Sequence, residues 1–198
     1  MNFPEFKSFT KIPRLSREII ITEKIDGSNG VILIDKDYNI FAGSRNRWLW
    51  GSIQDKIHND NHGFAAWVRE HQRELLGLGL GYHWGEWMGQ KIQRTYGLKE
   101  KRFYLFNVNK WTSRKNIPNK YLDTFIYCPD CCYVVPILYK GIFDTHVIRL
   151  CLENLKLHGS KAVPNFMKPE GICIYHTAGN IYFKKTLEGD LAKNEKVN

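Results

Sequence analysis

Strand and turn signals recur along the whole chain, and only two stretches have helical spacing. That ratio restricts the fold to an antiparallel α+β domain with a few flanking helices. Residues 18–23 are β-branched and read as a strand. Residues 30–35 and 39–43 read as a hairpin, with Lys36, Asp37 and Tyr38 near its turn. Residues 80–87, 103–108 and 134–139 are further strand candidates, Pro136 marking an edge or a bulge in the last. Residues 170–176 and 180–186 look like a closing hairpin turned by Thr177, Ala178, Gly179 and Asn180.

Helical spacing joins Phe64, Trp67, Val68, His71, Leu75 and Leu76, with Gly77 and Gly79 to stop the helix. The polar residues 58–63 lead into it. A second helix is expected after a capping Asp144, with Val147, Ile148, Cys151, Leu152 and Leu155 on one face and Gly159 at its end. No repeat and no linker composition interrupts the chain, so residues 1–188 are expected to form one domain and residues 189–198 a short polar tail.

The 198 residues carry 29 Lys plus Arg against 20 Asp plus Glu, a net charge of +9 that favours polyanionic partners. Six Trp, ten Tyr and eleven Phe supply core and stacking faces alike. No stretch is long and apolar enough for a membrane span, and the first residues lack the apolar run of a signal peptide, which points to a cytoplasmic protein. The five cysteines, an odd number, fit reduced thiols better than a disulfide frame. Cys128, Cys131 and Cys132 form a C-x-x-C-C cluster that reads as an inert turn, or as a zinc site if His146, Cys151 or His158 joined it.

The chemistry-bearing segment is Thr22-Glu23-Lys24-Ile25-Asp26-Gly27-Ser28-Asn29-Gly30, between two strand candidates. A lysine leaving a strand before Asp-Gly puts an amine at the mouth of a sheet, and Gly27 allows a sharp turn there. Such an amine attacks phosphorus when it is uncharged. Further along stand Ser44-Arg45, Gly85-Glu86-Trp87, Phe103-Tyr104-Leu105-Phe106, Glu170-Gly171-Ile172 and Phe183-Lys184-Lys185-Thr186.

In this order and across nearly the whole chain, these segments resemble the motifs of the covalent nucleotidyltransferases: the ATP-dependent RNA and DNA ligases and the mRNA capping enzymes. Asn29, where DNA ligases and capping enzymes usually have Arg, and Glu23 before the lysine are similar to RNA ligases of the phage nick-sealing type. So are residues 134–139, 169–176 and 184–188. The resemblance implies an antiparallel-sheet nucleotidyltransferase (ATP-grasp-like) adenylation domain. It also implies an ATP-dependent RNA ligase that joins 3′-OH and 5′-phosphate ends through a lysyl-AMP intermediate and an adenylylated 5′ end.

It implies Lys24 as the nucleophile and Glu170, with Asp26 second, as holders of Mg²⁺ or Mn²⁺. Arg45 is implied against the ribose and 5′-phosphate region, with Arg47 an equally placed rival. Glu86 is implied on the ribose, Glu23 and Phe106 on adenine with Ile25 beside them, and Lys184 or Lys185 on the α-phosphate. Successive strand residues face opposite ways, so both lysines cannot meet one phosphate squarely, and Lys184 is preferred. Asn29 is implied at the RNA end, with a nicked duplex or broken ends as substrate. The chain departs from the family in lacking the Lys-x-Lys form of the last motif. It also leaves no room after Glu188 for the OB or helical domain of many relatives. A DNA nick ligase, or a nucleic-acid-binding adenylyltransferase module that needs a partner chain, is the alternative.

Overall fold

The computed structural model describes residues 5, 7–12, 15–53, 56–111, 117–118 and 125–188. The expected tail at 189–198 lies outside them. The strands are β1 (Glu18–Lys24), β2 (Ser28–Ile34), β3 (Ile40–Gly43), β4 (Trp48–Gly51), β5 (Gly81–Gly89), β6 (Lys101–Leu105), β7 (Ile117–Pro118), β8 (Phe125–Ile126), β9 (Cys132–Val134), β10 (Ile137–Ile142), β11 (Gly171–His176) and β12 (Ile181–Thr186). The helices are α1 (Phe64–Glu70), α2 (Gln72–Leu75), α3 (Val108–Trp111) and α4 (Thr145–His158).

The strands form a four-stranded sheet in the order β10-β1-β11-β12 and a six-stranded sheet in the order β4-β3-β2-β5-β6-β9, beside a small β7-β8 pair. Pairing is antiparallel apart from β6 with β9. β1 is buried on both faces. Ile19 and Ile21 pack with Ile172, Ile174, Cys151 and Leu155 under α4, while Ile20 joins Ile25, Met88, Tyr96 and Tyr104 on the other side. The six-stranded sheet buries one face, through Ile32, Ile34, Ile40 and Ala42, against Phe64, Val68, Leu75 and Leu78 of the α1–α2 region. Large apolar side chains removed from water in this way hold both layers together, at roughly 1.5–3 kcal/mol each.

α4 follows its sequence signals. The Asp144 carboxylate accepts from the His146 amide at 2.7 Å, and Gly159 ends the helix at φ 77°. The first helical stretch is broken at His71, whose φ of −99° separates α1 from α2 before a 3-10 turn at Leu76–Leu78. The Asp60 carboxylate accepts from the Ala65 and Ala66 amides at 2.8 and 3.0 Å, so it caps the first turn of α1 from across the 3-10 turn at Asn61–Gly63.

Residues 134–139 do not make one strand. β9 belongs to the six-stranded sheet and β10 to the four-stranded one, and the chain crosses between them at Val135 and Pro136. Pro136 lacks an amide hydrogen, yet its carbonyl accepts from the Glu23 amide at 3.0 Å. No helix among the described residues is long and apolar enough to cross a membrane.

Candidate active site

The chain changes sheets just after Lys24. Gly27 permits this by close approach: a Cβ there would lie 2.5 Å from the Trp87 carbonyl oxygen and 3.0 Å from Met88 Cβ. β1 therefore ends in one sheet and β2 starts in the other, with Lys24 at the divide. Between the sheets lies a cavity of about 570 Å³ lined by Lys24, Glu23, Ile25, Asn29, Arg45, Glu86, Phe106 and Lys184, with Thr22, Tyr82, His83, Trp84, Lys110 and Cys173 among their neighbours.

Lys24 pairs across the sheet with Gly171, which brings the preceding Glu170 against it. The Lys24 Nζ donates to Glu170 Oε2 in an ion pair whose side chains are 22% and 16% exposed. Lys184 stands opposite Cys173 on the same face of the sheet and lines the cavity. Lys185 stands opposite Ile172, whose side chain packs under α4, and does not line it. Strand alternation thus separates the two lysines.

On the facing wall Asn29 pairs with Glu86 in the β2–β5 register. Asn29 Nδ2 donates to Glu86 Oε2 at 2.8 Å, and Arg45 Nε donates to Asn29 Oδ1 at 2.8 Å. Arg45, Asn29 and Glu86 are thereby chained, with the Asn29 amide oriented by both neighbours. Glu86 is 8% exposed, and burial pushes its carboxyl up to about 7, against the opposing pull of Lys24 and Asn29. Arg45 sits on the loop between β3 and β4. Its rival Arg47 turns to the Asn59 carbonyl at 3.4 Å and does not line the cavity.

Glu23 is 1% exposed and fully engaged. Its Oε1 accepts from the Ser160 hydroxyl at 2.6 Å, and its Oε2 accepts from the Lys161 and Ala162 amides at 2.7 and 2.9 Å. Burial raises its pKa against those donors. Asp26 lies beside the cavity. Its carboxylate forms an ion pair with Arg94 at 3.1 Å, and its amide donates to the Tyr96 hydroxyl at 2.9 Å.

Arg94 and Tyr96 escaped the sequence reading. They sit on an irregular loop where Gln93, Thr95 and Tyr96 have positive φ, and no periodicity marks such a loop. Arg94 also forks onto Glu188 at 2.9 and 3.1 Å, tying the end of the closing hairpin to Asp26. Lys110 and His83 were likewise unmarked. Lys110 donates to the Leu78 carbonyl at 3.1 Å and lies 4.3 Å over the Trp111 ring, and burial lowers its pKa. Burial pushes His83 down to about 4, so its neutral ring bonds the Gly79 carbonyl at 2.8 Å.

Among the described residues no three His, Cys, Asp or Glu side chains cluster as a closed metal cage. Glu170 and Glu86 lie close enough for the charge of one to act on the other. Cys131 lies in the turn before β9, which Cys132 opens, and the Cys128 thiol is 3.8 Å from the Pro129 carbonyl.

The two-sheet fold is shared with solved RNA ligase structures. The profile of the RNA ligase family matches residues 17–193, and the chain belongs to that family. Among solved structures, a mutant of Naegleria gruberi RNA ligase with ATP and Mn aligns with a TM-score of 0.55 at 21% identity, covering 87% of this chain and 49% of that one. Another mutant, with AMP and Mn, aligns with a TM-score of 0.52 at 20% identity over 87% of this chain and 50% of that one. An apo mutant of the same ligase gives 0.54 at 22% identity over 94% and 57%. This chain spans about half the length of those ligases. No curated protein sequence matches it significantly.

Proposed function

We propose that this chain is an ATP-dependent RNA ligase, in which residues 1–188 act as the adenylation domain and Lys24 becomes covalently charged with AMP. One observation carries the reading: the Lys24 amine is held by Glu170 inside a cavity that also receives Glu86, Arg45, Phe106 and Lys184 from distant parts of the chain. Solved Naegleria gruberi RNA ligase mutants with ATP and Mn or AMP and Mn share the fold.

Lys24 Nζ, uncharged, attacks the α-phosphorus of ATP; the N–P bond forms as the bond to pyrophosphate breaks. Glu170 is the acceptor at hand for the proton Lys24 sheds. The AMP then passes to a 5′-phosphate, releasing the lysine, and a 3′-hydroxyl attacks the activated end with AMP as leaving group. Such transfers depend on alignment and charge neutralisation more than on covalent help.

Lys184 bears on the α-phosphate and Arg45 on the ribose and phosphate edge. Glu86 accepts from the ribose, and Phe106 with Ile25 packs on adenine. Glu23 fixes the Ser160–Ala162 loop behind the base. Asn29 sets the Glu86 and Arg45 side chains before it meets the RNA end. Mg²⁺ or Mn²⁺, held by Glu170 and the phosphates, would neutralise phosphate charge; Asp26, already paired with Arg94, shapes the flank. The thiols fit a reducing cytoplasm.

The test is self-labelling. Protein mixed with α-labelled ATP and Mg²⁺ or Mn²⁺ is expected to carry label through a denaturing gel, with pyrophosphate released. Lys24→Ala should lose the label entirely. Persistent label in that variant would remove Lys24 from the reaction, and label from GTP alone would remove ATP.

A further inference from the structure

The cavity opens onto a sheet face that no helix among the described residues covers. Glu86 and Asn29 lie at its inner end. Away from them, the next non-neighbouring pairs on the same face are Trp84 with Val31 and Tyr82 with Leu33. Two strands further, Gly43 stands opposite both Val31 and Trp48. A Cβ at Gly43 would lie 3.0 Å from the Trp48 ring, so the glycine lets that ring lie close on the sheet.

The result is a row of aromatic rings. Tyr82 and Trp84 are 6.3 Å apart and nearly parallel at 10°; Trp48 and Tyr82 are 6.4 Å apart at 30°. Their exposures are 59% for Tyr82, 45% for Trp84 and 47% for Trp48. A contiguous apolar surface of this kind marks an interaction site. Arg45 and Arg47 flank the Trp48–Tyr82–Trp84 row beside a shallow pocket of about 210 Å³. The inner end of the row, Tyr82 and Trp84, is also part of the cavity wall.

We infer that this aromatic row is a stacking track for unpaired bases of an RNA strand whose end enters the cavity. The chemistry selects that occupant. Aromatic faces beside arginines match flat bases joined by phosphates. Continuity with the cavity places the track where a strand would approach the reacting end. A duplex keeps its base faces stacked on one another and offers its backbone instead, so the track favours a single-stranded or frayed end over an intact nicked duplex. The inference rests on the reading of this chain as acting on RNA.

Trp48 tests it, because it lies on the track and outside the cavity. Binding is measured by fluorescence anisotropy on the full chain with an end-labelled single strand of about 12 nucleotides, within the range such sites occupy, and with a hairpin duplex of matching composition. Trp48→Leu, which keeps an apolar side chain but no π face, is expected to weaken single-strand affinity by about tenfold and duplex affinity by less than about twofold. Trp48→Phe is expected to stay within about threefold of the parent.

Both variants should self-label from ATP as the parent does. Parental single-strand affinity in Trp48→Leu overturns the inference and leaves the face to a protein partner. Equal losses on single strand and duplex overturn it too, as does failure of Phe to rescue. A parent that binds strands through Trp48 but never self-labels would defeat the adenylation reading alone. A parent that self-labels while Trp48→Leu binds normally would defeat the track alone.

Discussion

The two walls of the cavity hold their carboxylates differently. On the four-stranded sheet Glu170 faces the Lys24 ammonium directly, charge against charge. On the six-stranded sheet Glu86 has a neutral amide from Asn29 as its hydrogen-bond partner, and burial pushes it up to about 7. On the first wall Lys24 and Glu170 are paired before any nucleotide arrives. The second carries a carboxyl poised to change charge near neutrality, in the range where catalytic groups are tuned. In the function proposed above, phosphate chemistry falls to one wall and sugar recognition to the other, and each assignment can be broken separately.

The largest expected effect falls on the first wall. Lys184 and Lys185 are neighbours in sequence, yet Lys184 alone of the two lines the cavity. Lys184→Ala is expected to slow self-labelling by about 100-fold, the usual loss when a donor to a developing charge is removed. Lys185→Ala should change it by roughly threefold or less, as for an exposed charge screened by salt. Initial rates of label incorporation at saturating ATP decide it, and equal losses would collapse the distinction drawn from strand alternation.

On the second wall the expected effect is smaller and depends on pH. In the proposed role Glu86 accepts ribose hydroxyls as an anion, and its protonated form would do so poorly. ATP affinity should therefore rise between about pH 6 and pH 8, around the value that burial sets. Glu86→Gln should flatten that rise and leave affinity about tenfold weaker at pH 8, the worth of one charge-assisted bond.

Stability moves the other way. Because the folded value lies above the ordinary 4.5, the Glu86 contribution is present in full below pH 4.5 and is lost as pH climbs through about 7. Urea midpoints across that window should fall for the parent more than for Glu86→Gln. Titration calorimetry of both proteins measures the affinity, and a flat parental profile would show that Glu86 does not touch the sugar.

Much of this was legible in the sequence because motif residues sit on elements with strong local signals. β1 announces itself through three adjacent isoleucines, and the parity of a strand was enough to prefer Lys184. Asp144 and Gly159 marked both ends of α4. The rest depended on tertiary context. Residues 134–139 read as one strand because nothing local shows that Pro136 lies where the chain passes from one sheet to the other. Arg94 and Tyr96 were invisible since their partners Asp26 and Glu188 come from remote segments. The aromatic row was hidden for a related reason: its rings come from β4 and β5, and only the register brings them together.

A last prediction separates two buried carboxylates that looked alike in sequence. Both line the cavity, but the Glu86 carboxylate accepts from Asn29, whereas the Glu23 carboxylate is closed in by three donors from a single loop. Ser160 is the hinge of that arrangement, for its hydroxyl donates to Glu23 and accepts from the Val163 amide at 3.0 Å. Ser160→Ala removes both bonds at a site that is 4% exposed and strips one donor from a buried acid. Stability should fall by about 1–2 kcal/mol, the size of a lost buried hydrogen bond to a charged group, read as a lower urea midpoint with an unchanged slope. ATP affinity should hold within roughly twofold of the parent if the loop keeps its course. The opposite result, weaker ATP binding with the midpoint unmoved, would mean that the Glu23 carboxylate reads adenine itself, and the division between a structural acid and a binding acid would fail.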